Sequence, residues 1–279
     1  MDLAEKVQYF TLDVISSVGL GKAFGMLRTD SDVDDYLKST EEGLYAISMA
    51  CAIGISWMAQ SPVIGRFIAP SPIDNNGFGK MIAARFRCVD ERTAKSTDER
   101  SDMLASFIRH GLSGDELKSE ALEQIIAGSD TTAAAIRGTL LQIVTNPSVY
   151  AKLQHEIDNG NAPKLGEGII TLGQAKRLPC QSSISSPETS LLGGDTIEVK
   201  GEPYFLPGGV CVGYSGYAMH RSQATYSVDS TAFRPERWFS ADPDKLASMI
   251  QTNDLIFGHG KFMCLGRPVA QMELSKTIL

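Results

Sequence analysis

The feature that most constrains this chain is an apolar periodicity running from Asp115 to Thr145. Leu122, Ile125, Ile126, Ala133, Ile136, Leu140, Ile143 and Val144 recur at the spacing that lines one side of an α-helix. Ser113, with Glu116 three places on, has the form of a capping box. At the other end Asn146 can cap, and Pro147 suits the opening of a further helix, Ser148 to Asp158. A helix of this length far exceeds the globular mean of about 11–12 residues, which predicts that it crosses the whole domain. The rest of the first half is helical as well, since Val7, Phe10, Val14 and Val18, and later Phe78, Ile82 and Phe86, repeat in the same way. The charged stretch Asp90 to Asp102 reads as a solvated face or connector.

Beyond Pro179 the pattern changes. Gln181 to Ser190 is rich in Ser, a loop composition. Thr196 to Val199, Tyr204 to Leu206 and Val210 to Val212 read as short strands, separated by Lys200-Gly201 and Pro207-Gly208-Gly209. An irregular stretch around Phe233 to Trp238 leads to a Gly-rich loop, and a last helix begins near Pro268.

Composition removes several function classes. The chain has 26 Lys and Arg against 33 Asp and Glu, a net charge of −7, so no nucleic-acid partner is expected. With 43% apolar and 21% charged residues it is too apolar to stay disordered. Five Cys without a Cys-x-x-Cys pair fit neither a disulfide scaffold nor a zinc ribbon. Met1 to Lys6 lacks the features of a signal peptide. Gly43 to Gly65 carries no charge and is long enough to span a bilayer, but Ser48, Ser56, Gln60, Ser61 and Pro62 interrupt it. A buried or half-buried helix is the favoured reading there, ahead of a membrane-touching surface helix and a true span.

Common catalytic signatures are missing. No Gly-Lys pair is followed by Ser or Thr, so there is no phosphate loop, and His110, His155, His220 and His259 have no metal-ligand spacing. Two segments, however, break local rules. Ala127-Gly128-Ser129-Asp130-Thr131-Thr132 interrupts the long helix: Gly costs about 1 kcal/mol relative to Ala there, and Ser and Thr bond back to earlier carbonyls and bend the axis. Such a break either opens a groove and aims an acid and a hydroxyl into it, or marks a turn facing solvent. Taken alone, the segment supports both equally. The second segment runs from Phe257 to Pro268. Its Cys264 lies between Gly260 and Gly266, ahead of a helix start that favours thiolate, the form that ligates metal. The glycines permit tight geometry in which amide N–H groups point at the sulfur. A buried structural Cys is the commoner alternative, and both remain open at this point.

Taken in order, the acid–Thr break, Phe233 to Trp238 and the Phe-x-x-Gly-x-x-x-Cys-x-Gly loop resemble those of the cytochrome P-450 family of haem-thiolate monooxygenases. The resemblance runs from about Leu3 to Leu279 and is nearest to fungal, membrane-associated, pisatin demethylase-like members. It implies a mainly α fold with small β-sheets, a single partial domain over residues 1–279, and a heme whose iron is held by Cys264. Phe257 matches the aromatic residue beside that thiolate, Gly260 and Gly266 shape the loop, and Lys261 is the available cation for a haem propionate beside Phe262. Ala127 and Gly128 match the widened turn over the haem. Asp130 and Thr131 match the acid–alcohol pair that relays protons to dioxygen. The implied reaction inserts one atom of O2 into a small organic substrate of secondary metabolism, with electrons from NADPH through a separate cytochrome reductase. The implied location is the cytosolic face of the endoplasmic-reticulum membrane, or cytoplasmic or peripheral for a chain without the N-terminal anchor.

The departures carry their own expectations. No Glu-x-x-Arg occurs in the chain. Leu178-Pro179-Cys180 matches the start of the helix that bears it, and Gly193 to Ile197 matches a strand well after it, so that helix is expected to be missing. Arg237, which matches the family arginine tied to that motif, is then expected to lack an acidic partner. The family's first helices and last strands would lie before Met1 and after Leu279. The alternative is therefore a degenerate or mis-spliced, non-catalytic member with weak or no haem binding.

Overall fold

The computed structural model describes residues 2–61, 63–65, 69–74, 77–94, 100–158, 189–190, 193–199, 201–239, 242–260 and 263–278. The chain divides into two compact units, Met1–Ala133 and Ala134–Leu279.

The first unit is built from helices: α1 (Leu3–Leu20), α2 (Met26–Thr29), α3 (Tyr36–Ala52), α4 (Trp57–Gln60), α5 (Gly77–Thr93), α6 (Met103–Arg109) and most of α7 (Gly114–Thr145). Asp2 starts α1 by accepting the Ala4 N–H at 2.9 Å, and Gly21 ends it at φ +72°, where glycine has no steric penalty. Tyr9, Leu12 and Ile15 of α1 bury themselves with Tyr36, Met81 and Ile125 in the unit's core. Each such side chain contributes about 1.5–3 kcal/mol on burial. Arg85 is also buried, at 2% exposure. Its guanidinium lies 3.8 Å from the Phe24 ring centroid and 5.2 Å from that of Tyr36, and it pairs with Asp34 at 3.6 Å. Two aromatic faces and a carboxylate thus replace its lost water.

The uncharged stretch from Gly43 departs from the buried-helix expectation. Tyr45, Ile53 and Trp57 are 69%, 63% and 60% exposed. The reason is that only the start of α3, through Tyr36, Ser39 and Thr40, reaches the core. Among the described residues, no helix is long and apolar enough to cross a membrane.

In the second unit Pro147 opens α8 (Pro147–Asp158), as its missing N–H allows. Strands β1 (Thr189–Ser190) and β4 (Cys211–Val212) pair antiparallel, as do β2 (Asp195–Val199) and β3 (Glu202–Leu206), the latter in register from Asp195↔Leu206 to Val199↔Glu202. Short helices α9 (Gly216–Met219) and α10 (Gln223–Tyr226) follow, then α11 (Pro243–Asp254) and α12 (Arg267–Ile278). The fold is mainly α with small β-sheets, as expected. Leu178-Pro179-Cys180, Lys261 and Phe262 lie outside the described residues.

Arg237 does not stand unpaired, which corrects the expectation for it. It donates to the carbonyls of Tyr226 at 2.7 Å, Asp229 at 3.0 Å and Ala232 at 2.9 Å, and reaches Asp229 Oδ1 at 3.4 Å. Its own segment, Asp229 included, folds around the guanidinium and satisfies it without a Glu-x-x-Arg acid.

Candidate active site

Cys264 sits in the loop between α11 and α12, three residues before α12 begins, and its side chain is exposed. Its backbone N–H donates to the Phe257 carbonyl at 2.6 Å, and the Met263 N–H to that of Gly260 at 3.2 Å. Gly258 at φ +76° and Gly260 at φ +62° take the left-handed turns that this closure requires. Gly260 was legible in the sequence as a loop-shaping residue, whereas Gly258 was missed. Gly266 is not left-handed, and a Cβ on it would stand 3.8 Å from the Cys264 sulfur, an ordinary contact. The described amides of Met263 and Cys264 thus close on carbonyls, and the exposed thiol can meet a ligand. Beside it Leu265 and Met263 expose apolar side chains, at 72% and 52%.

The second segment lies on α7, which continues as helix through residues 127–132. Neighbouring side chains on a helix diverge by about 100°, and the two candidates separate accordingly. Asp130 turns toward α1, where the Gln8 side-chain amide donates to its Oδ1. Thr131 is exposed, and its hydroxyl donates to the Ala127 carbonyl at 2.7 Å. Ala127 is exposed one turn before it, while Ser129 between them and Thr132 just after are buried. The outward strip of α7 here is therefore made of small residues ending in a hydroxyl. The acid and the hydroxyl do not enter one groove.

Gly128 lets a neighbouring helix pack close. A Cβ on it would fall 2.6 Å from Ile15 Cγ1 and 2.7 Å from Cδ1, so α1 packs directly on the bare helix backbone. Gly128→Ala gains about 1 kcal/mol of helix propensity but overpacks this contact by about 1–3 kcal/mol. The expected result is a net loss of about 1 kcal/mol in urea unfolding. In an Ile15→Ala background the same substitution should become neutral or stabilising, and additivity of the two changes would contradict the contact.

The donor set fits a haem better than a bare ion. Among the described residues, no group of three or more His, Cys, Asp or Glu converges to hold a metal. A single exposed soft donor at Cys264 is what a macrocycle bringing its own four nitrogens requires from the protein, and the exposed apolar neighbours suit a flat apolar ligand. One further buried acid lies just beyond. Glu273 of α12 is 2% exposed, neither carboxylate oxygen has a hydrogen-bond partner, and burial pushes its pKa up to about 8. Its place three and four residues after Ala270 and Val269 was the available signal.

Comparison with known proteins matches the chain to a family. The cytochrome P450 family model matches residues 1–164 and 195–279. A cytochrome P450 monooxygenase of Pyricularia oryzae is 37% identical over 99% of this chain and 56% of its own length. A cytochrome P450 monooxygenase of Botryotinia fuckeliana is 33% identical over 100% of this chain and 57% of its own length, and the pisatin demethylase of Fusarium vanettenii is 26% identical over 100% and 56%. The crystal structure of a cytochrome P450DA heme domain superposes with a TM-score of 0.70 at 20% identity, covering 99% of this chain and 60% of that one. The chain thus spans little more than half the length of the relatives it matches.

Proposed function

Because the chain belongs to the cytochrome P450 family, we propose that it acts as part of a haem-thiolate monooxygenase of fungal-type secondary metabolism. In that reaction one oxygen atom of O2 enters a C–H bond of a small organic substrate and the other leaves as water. Two electrons come from NADPH through a separate reductase, and two protons from solvent. The observation that carries the reading is the exposed Cys264 thiol, presented by the Gly258–Gly260 turns ahead of α12.

The bound haem would supply the redox chemistry of oxygen activation. Cys264 would hold it as thiolate, the form that ligates metal. Phe257 would flank the sulfur, and Ala127 would offer a side chain small enough for close approach. Thr131 would hold and pass a proton at Oγ1, whose present acceptor is the Ala127 carbonyl. Asp130, whose carboxylate Gln8 holds toward α1, would have to turn from that contact to feed this relay.

The absence of any Glu-x-x-Arg favours the second reading, a non-catalytic product. Haem uptake separates the two. Titrating the purified chain with haem should give a saturable Soret change at one haem per chain. A titration that never saturates would favour the non-catalytic reading.

A further inference from the structure

The Cys264 loop is closed at its base by a side chain to which the proposed function gives no role. Arg267, the first residue of α12, reaches back to Asp254, the last residue of α11, with Nη2 2.5 Å from Oδ1. On the way its guanidinium lies 5.1 Å from the Phe257 ring centroid. Its backbone N–H points to the Cys264 carbonyl at 3.4 Å, and Cys264 in turn donates to the Phe257 carbonyl at 2.6 Å. One residue therefore links both ends of the loop, the aromatic neighbour and the cysteine itself.

We propose that Arg267 is a positioning residue for the Cys264 thiolate, a strap that ties the end of α11 to the start of α12 across the Phe257 ring. The inference rests on the reading of Cys264 as haem ligand. Between them, two helix ends fix the residues before and after the loop, and the left-handed glycines inside it contribute no rigidity of their own. Both partners of the ion pair are part-exposed, with side-chain exposures of 27% for Arg267 and 45% for Asp254. Exposed pairs add little to global stability, so losing this one should loosen the loop rather than unfold the unit. Arginine suits the place because its planar group both pairs with a carboxylate and lies against a ring, whereas a lysine point charge does only the first.

The test uses the haem-loaded chain, reduced under CO, and follows how fast the thiolate-ligated Soret band converts to the form that has lost thiolate. Arg267→Ala should convert about tenfold faster than wild type, and Asp254→Asn severalfold faster. Arg267→Lys, keeping the ion pair but not the ring contact, should fall between Arg267→Ala and wild type. Leu12→Ala, a core change in the other unit, serves as the control for general destabilisation. An Arg267→Ala rate equal to wild type overturns the proposal. So does a rate matched by Leu12→Ala at the same loss in urea midpoint. A wild-type chain that shows no thiolate band at all overturns the haem reading itself, and this proposal with it.

Discussion

Cys264→Ser is expected to lower haem affinity about a hundredfold or more and to remove the thiolate signature from whatever haem remains bound. A hundredfold loss corresponds to roughly 3 kcal/mol. The size follows from the donor set: Cys264 is the single protein ligand assigned, so no second donor takes over. Serine keeps the shape but presents a hard, neutral hydroxyl at neutral pH, a poor match for iron that favours soft thiolate. The other described free cysteines give the control. Cys51 is exposed on α3 and Cys88 is partly buried in α5, both in the first unit. Cys51→Ser and Cys88→Ser should leave the titration unchanged. If either abolishes uptake while Cys264→Ser does not, the assignment is wrong.

Glu273 gives the second large effect, this time on stability. Its folded-state pKa is raised to about 8 by burial, against an ordinary value of 4.5. Below about pH 4.5 the carboxyl is protonated in both folded and unfolded chains and destabilises neither. As pH rises from there, the unfolded chain releases the proton and the folded one retains it, so stability falls until the folded group also ionises near pH 8. The slope is about 1.4 kcal/mol per pH unit for one proton, and the whole loss is on the order of 5 kcal/mol. Glu273→Gln should remove this group's share of the slope between pH 5 and 8. Glu273→Leu, which also needs no hydrogen-bond partner, should be the more stable variant at pH 8 by a few kcal/mol. Urea midpoints measured across that range decide it. An unaltered pH profile in both variants would show that Glu273 ionises freely.

How much of this was legible in the sequence depends on how local the cause was. The long helix was, because its period and the Asn146-Pro147 stop are properties of neighbouring residues. The strands β2 and β3 were legible for the same reason, though not their pairing. The directions of Asp130 and Thr131 were not. Motif order places them side by side, but the helix turns them apart, and the partner of Asp130 is Gln8 on another helix. The packing of Ile15 against Gly128 was not legible either, because it joins two helices far apart in the chain. The partners of Arg237 were not legible, because most are backbone carbonyls, which every sequence offers and which leave no signature. The exposure of Tyr45 and Trp57 was likewise invisible, since an apolar run does not say whether a neighbour covers it.

The most direct test of the account is the CO difference spectrum of the haem-loaded, dithionite-reduced chain. The account predicts the red-shifted Soret band of a thiolate-ligated CO complex, present in wild type and absent in Cys264→Ser. A wild-type spectrum that is flat, or that shows only a Soret band without thiolate character, would contradict it.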